Sequence, residues 1–226
     1  DELVASSLPD DPWVASAIAR YFPRALTERY ASYMARHPLR REIIATHVAN
    51  SMLNRVGSTF VHRLMETTGA QPHEIVRAYL LSREIFGLVP MWLGIEALDN
   101  KVADAVQSTM LVDASAQLER ATTWFLRSRR LADPIGQTIE RFAPAARALL
   151  KTLQAAPPSV AWRAPIVELR EGYVRQGVPA TLADEVAAAG TLLAALDLAE
   201  VAEAARQPLE TVAAAYFSIG ESLGLA

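Results

Sequence analysis

Four histidines, three neighbouring pairs of carboxylates and a few arginine clusters are the residues here whose types and spacing could do chemistry. His62 and Glu66 stand one helical turn apart and could supply half a metal site. His37, His47, His62 and His73 never fall three or four residues from one another, so no helix presents two imidazoles to one ion. A closed zinc site takes about four ligands, and His62/Glu66 reads as a solvated pair on a helix surface. The paired carboxylates are Glu168/Glu171, Asp184/Glu185 and Glu200/Glu203. Acid–base work needs a carboxyl group buried enough to shift its pKa. These pairs lie on helices whose other face is apolar, so they read as solvated. The 10 glycines form neither a dinucleotide fingerprint nor a P-loop, no serine sits in a nucleophile elbow, and there is no cysteine. The residues point to no catalytic, cofactor-binding or metal-ligating constellation.

Two polar groupings remain. Arg40 and Arg41 are predicted in the first turn of a helix, where a cation is disfavoured by the helix dipole. Either a carboxylate such as Glu42 or a partner compensates them, or they bind an anion. Arg127, Arg129 and Arg130 close a long helix, where cations suit the dipole. The second grouping lies on one helix predicted over residues 39–67. Advancing ~100° per residue from Leu39 puts Leu39, Ile43, Leu53, Phe60, Val61 and Leu64 on one side. Arg40, Arg41, His47, Ser51, Arg55, Ser58, Thr59, His62 and Glu66 fall opposite. Thr46, Asn50, Asn54 and Gly57 lie in or beside the apolar arc. They read as a structural or interface stripe in which the asparagines hold register and Gly57 admits a neighbouring backbone.

The elements that must position these groups are helices. The 226 residues include 41 alanines, 20 arginines and 2 lysines, a composition biased to the best helix formers. No stretch alternates apolar and polar residues with β-branched enrichment over strand length. Proline and glycine punctuate the chain at Pro12, Pro23, Pro38, Gly69, Pro72, Pro90, Pro134, Pro144, Gly177, Pro179 and Pro208. The expectation is an all-α, irregular multi-helix bundle of roughly nine to eleven helices without a sheet. Pro157-Pro158 is the strongest break, which divides a main lobe, 1–156, from a smaller C-terminal lobe, 159–226.

Net charge is −3 with a pI near 5.9, against the basic balance of a nucleic-acid binder. Residues 197–223 have the spacing of a helix-turn-helix, but from Pro208 to Leu223 the only charged side chains are Glu210 and Glu221. A recognition helix would offer cations and amides. No apolar run approaches the roughly 20 residues of a membrane span. The expected location is the cytoplasm, without nucleic-acid or membrane partners.

The block from His37 to Thr46, continued by Val48-Ala-Asn50 and by Asn54 to Phe60, resembles the large bacterial NAD-specific glutamate dehydrogenases. Further blocks follow in the same order: Thr68-Gly69-Ala70, Arg77-Ala78-Tyr79, Arg83 to Phe86, Trp92, Ile95 to Asn100, Thr123 to Arg127, Gly177-Val178-Pro179 and Tyr216-Phe217. The resemblance runs from about Tyr21 to the end. Where that family follows the Asn100 turn with proline, this chain has Ala103, which weakens the break expected there. The resemblance implies the helical region C-terminal to the catalytic domain of a very long polypeptide. The parent would use NAD to convert glutamate to 2-oxoglutarate and ammonia. None of the family's catalytic residues falls in this region, so the fragment alone is expected to be inactive and to carry no cofactor. Its implied partners are the catalytic region of the same polypeptide and other subunits of a homo-oligomer, in a structural, regulatory or oligomer-forming role. The alternatives are a stand-alone helical regulator using the pair near 197–223, and a free-standing helical enzyme built around His62/Glu66.

Overall fold

The structure is a computed structural model that describes residues 1–16, 18–128, 131–156 and 160–224. Among the described residues it is all helix and turn, with eleven helices of seven residues or more. Three single-turn helices open the chain: α1 (Glu2–Ala5), α2 (Pro12–Ala15) and α3 (Ile18–Tyr21). They are followed by α4 (Arg24–Ala35), α5 (Arg40–Val56), α6 (Thr59–Thr68), α7 (Pro72–Ile85), α8 (Leu88–Glu96) and α9 (Asp104–Ser128). The series ends with α10 (Ile135–Ala155), α11 (Ala164–Arg175), α12 (Ala180–Leu192), α13 (Ala194–Ala205) and α14 (Leu209–Ser222). Two 3-10 turns, Leu8–Asp10 and Ala161–Arg163, complete the set.

Local chemistry accounts for most boundaries. The Asp11 carboxylate accepts from the Trp13 amide at 2.9 Å, with Pro12 at the first helical position. Pro23, Pro179 and Pro208 stand at the N-caps of α4, α12 and α14. Gly69 ends α6 in the left-handed conformation, φ 72°. Asn100 adopts φ 57° between α8 and α9, so the break is made without the proline.

Several boundaries differ from the sequence reading: Pro90 lies inside α8, residues 12–15 and 18–21 form two short helices, and α13 begins at Ala194 and not at Leu198; two further differences have a clear cause. The helix expected over 39–67 is two helices, because Gly57 takes φ 76° and ψ 171° and ends α5. That conformation is essentially reserved for glycine. Pro144, expected to start a helix, lies inside α10. One missing N–H does not outweigh an apolar face on which Phe142, Ala145, Ala146, Leu149 and Leu153 are all buried.

The chain forms two compact units, each assembled from two stretches: Asp1–Ser82 with Ala121–Ile139, and Arg83–Arg120 with Glu140–Ala226. Residues 157–159, where the sequence places its strongest break, lie outside the described residues. In the first unit α1 and α3 pack on α5, and Ile44, Phe60, Leu64, Ile75, Tyr79 and Phe125 are buried. In the second, α11 packs on α12, α8 on α12 and α13 on α14. A Cβ on Gly94 would lie 3.2 Å from a Leu182 methyl, a tight contact where α8 meets α12.

Candidate interaction surfaces

The polar stripe of α5 faces water. Thr46, Asn50, Asn54 and Gly57 are all exposed, and Leu39 and Leu53 beside them are exposed as well. The buried side of α5 is formed by Ile44, Ala45, Val48 and Met52. That is the arc shared with Arg40, His47 and Ser51, opposite the one expected. The cause is the break at Gly57. Phe60 and Leu64 belong to α6, so their phase does not carry back onto α5. Nothing lies within 4 Å of a Cβ placed on Gly57, so its glycine answers to backbone conformation and not to a close neighbour.

Arg40 and Arg41 find their compensation inside the chain. Arg41 donates to the carbonyl oxygens of Val4 and Ser6 at 2.7 and 2.6 Å, and forms an ion pair with Asp10. Arg40 lies 3.8 Å from the same carboxylate. Together they fasten the opening turns of the chain to the start of α5.

A second node sits deeper in the first unit and was not singled out by residue type. The Asp11 carboxylate, which caps α2, also accepts from the Ile135 amide at 3.1 Å and so anchors the start of α10. Arg77 lies 3.7 Å from Asp11 and donates to the Asp133 carbonyl. Burial lowers the Arg77 pKa, while the carboxylates of Asp11 and Asp133 work in the opposite direction. A cavity of about 590 Å³ opens beside it, lined by Thr68, His73, Glu74, Arg77, Leu126 and Leu131 among others. The signal available in sequence was an arginine set among apolar positions of α7, between Val76 and Ala78.

The remaining candidates lie at or near the surface, apart from Glu185 and Glu200, and one carboxylate oxygen of Glu200 is buried. His62 lies 3.3 Å from Glu66, and both are exposed. Asp184 pairs with Arg170 at 2.6 Å, and Arg141 grips Glu203 through two nitrogens at 2.5–3.1 Å. Glu185 departs from the solvated reading. It is half-buried, and burial, with Asp184 beside it, raises its pKa. No group of three or more potential metal ligands occurs among the described residues. Arg127 closes α9 as expected; Arg129 and Arg130 lie outside the described residues.

The helical pair near 197–223 is α13 and α14, joined through Arg206 at φ 52°. Phe217 of α14 stacks on Trp162 with ring centroids 4.2 Å apart. An apolar groove of about 410 Å³ lies beside this stack, between Pro165, Ile166, Tyr216 and Ile219. Among the described residues no helix is long and apolar enough to cross a membrane.

Among the described residues the chain is an all-helical region in which Arg40, Arg41, Arg77 and Asp11 are engaged by the chain itself. A family model described as glutamate dehydrogenase, C-terminal, matches residues 1–226, and the chain belongs to that family. The NAD-specific glutamate dehydrogenase of Halomonas elongata is 41% identical over 227 residues, covering 99% of this chain and 14% of that protein. Those of Pseudomonas aeruginosa and Mycobacterium tuberculosis are 36% and 31% identical, over 100% and 99% of this chain. The chain thus spans about 14% of the length of the relatives it matches.

Proposed function

We propose that this chain is the non-catalytic C-terminal helical region of an NAD-dependent glutamate dehydrogenase. In this reading the whole enzyme oxidatively deaminates L-glutamate to 2-oxoglutarate and ammonia in the cytoplasm. The chain supports that reaction by packing against the catalytic region of its own polypeptide and by contributing to a homo-oligomer. NAD is held elsewhere in the polypeptide, and neither nucleic acid nor a membrane is a partner. The observation that carries the reading is the family match along the full 226 residues. The engagement of Arg40, Arg41, Arg77 and Asp11 with one another's segments supports a scaffolding role.

Calorimetry of the isolated chain with NAD, with and without glutamate, should show no binding. The full polypeptide should oxidise glutamate with NAD. Micromolar NAD binding by the isolated chain would overturn the non-catalytic reading. A mobility-shift assay at ~150 mM salt, where weak phosphate contacts are suppressed, should stay negative, and a sequence-selective shift would restore the regulator reading.

A further inference from the structure

The helix α4 is twelve residues long and buries a single side chain, Met34. Helices of this length are marginal in water and draw most of their stability from packing an apolar face. α4 kinks at Tyr30, where φ is −119° and ψ 21°, and around the kink Leu26, Tyr30 and Tyr33 stand 43%, 39% and 69% exposed. Tyr30 and Tyr33 meet edge to face with centroids 6.1 Å apart, and Arg29 lies over the Tyr30 ring at 5.3 Å. Aromatic rings and arginine stacked on a surface are the residue types that anchor protein interfaces.

We propose that Leu26, Tyr30 and Tyr33 of α4 are the docking face for the preceding part of the same polypeptide, presented as an apolar helix surface with an acidic border. The assignment rests on the reading above, that the chain is the C-terminal region of a longer dehydrogenase. The matching family model is described as C-terminal and the relatives are matched over 14% of their length, so in this reading the bulk of such a polypeptide precedes α1. Through Arg41, α1 is fastened to α5, and α3 packs on both α5 and α4. The incoming segment is therefore tethered within the unit that carries α4, where tethering raises its effective concentration at that face. The acidic border follows from Arg29 and Arg36, which flank the stripe.

The test uses the full polypeptide carrying Tyr33→Cys, labelled with a maleimide and read by mass spectrometry at that peptide. The labelling rate is compared with that of the same polypeptide unfolded in urea. The docked face should react about tenfold or more slowly, since labelling then needs local opening. A rate close to the unfolded one, in a polypeptide that still oxidises glutamate, overturns the docking face and leaves the family role standing. A polypeptide that lacks NAD-dependent glutamate oxidation sinks the proposed function whatever the labelling shows. Protection that disappears as oligomers dissociate on dilution assigns the face to a second copy and overturns the occupant named here. Hydrogen exchange over residues 24–35 in the unsubstituted full polypeptide gives the same decision should the substitution disturb folding: slow exchange supports the docked face, fast exchange removes it.

Discussion

α7 and α4 are close in length, fourteen and twelve residues, and nearly opposite in environment. Between Ile75 and Ser82 every residue of α7 except Arg77 is buried, and Tyr79, Ile75 and Leu81 are wholly inaccessible. α4 buries Met34 alone. Both segments are good helix formers, so propensity does not separate them. α4 has an Arg24–Glu28 contact at 3.0 Å, four residues apart, which is worth only a few tenths of a kcal/mol on an exposed helix. What separates the two helices is whether a second layer lies against them. The same chain thus holds one helix that is covered along most of its length and one that is left largely to solvent.

The largest effect should come from the buried helix. Tyr79 is inaccessible, and its hydroxyl donates to the Ser51 carbonyl at 3.4 Å. Tyr79→Ala should cost about 3–5 kcal/mol in urea unfolding of the chain, the range for removing a large buried aromatic. A loss below about 1 kcal/mol, the size of an ordinary substitution, would erase the contrast between the two helices. Asp11 comes next. Asp11→Ala removes the cap of α2 and the contact that anchors Ile135, and leaves Arg77 with less compensation. A loss of about 2–3 kcal/mol combines a missing cap with buried donors left unpaired. A thermal unfolding midpoint unchanged from the wild-type chain would show that Arg77 is held by the Asp133 carbonyl alone.

Much of this contrast was out of reach of the sequence, for a physical reason. Helix existence is local, and proline and glycine punctuation located α4, α7, α11, α12 and α14 to within a few residues. Burial is not local. A single helical phase through residues 39–67 puts Gly57 inside one helix, and that one joint reverses which side of α5 looks buried. Pro144 misled in the other direction, since a proline that usually breaks a helix is overridden here by the apolar face of α10. The Asp11 node joins residues more than a hundred positions apart, and an N-cap aspartate looks alike in sequence whether it caps one helix or anchors two. His62/Glu66 was legible as a surface pair because it is local.

Gly57 sharpens the comparison at intermediate size, because it separates strain from crowding. Gly57→Ala and Gly57→Leu should each cost about 1–2 kcal/mol, since both force a side chain into a backbone region kept for glycine. Similar losses for a small and a large residue are the signature of strain where the surroundings are open. A loss confined to the leucine variant would mean that something approaches this position after all. Ser58→Ala, on the exposed residue that follows and makes no side-chain cap bond, supplies the near-neutral control in the same denaturant series.

The smallest effects test the uncovered side directly. Asn50 and Tyr33 are exposed on α5 and α4. In the isolated chain Asn50→Ala and Tyr33→Ala should each change stability by less than about 0.5 kcal/mol, as surface substitutions do. A buried asparagine amide would instead cost about 1–3 kcal/mol when its partner is left unpaired, so the two situations are separable by urea titration. The pair of variants also carries information beyond its size. If Tyr33→Ala is neutral in the isolated chain but lowers the unfolding midpoint of the full polypeptide, the energy of α4 resides in a contact that only the longer protein makes. If it is neutral in both, α4 is a solvent helix held by its own sequence and by α3. If it is costly in the isolated chain, the tyrosine is already covered within the 226 residues, and the contrast between α4 and α7 is one of degree.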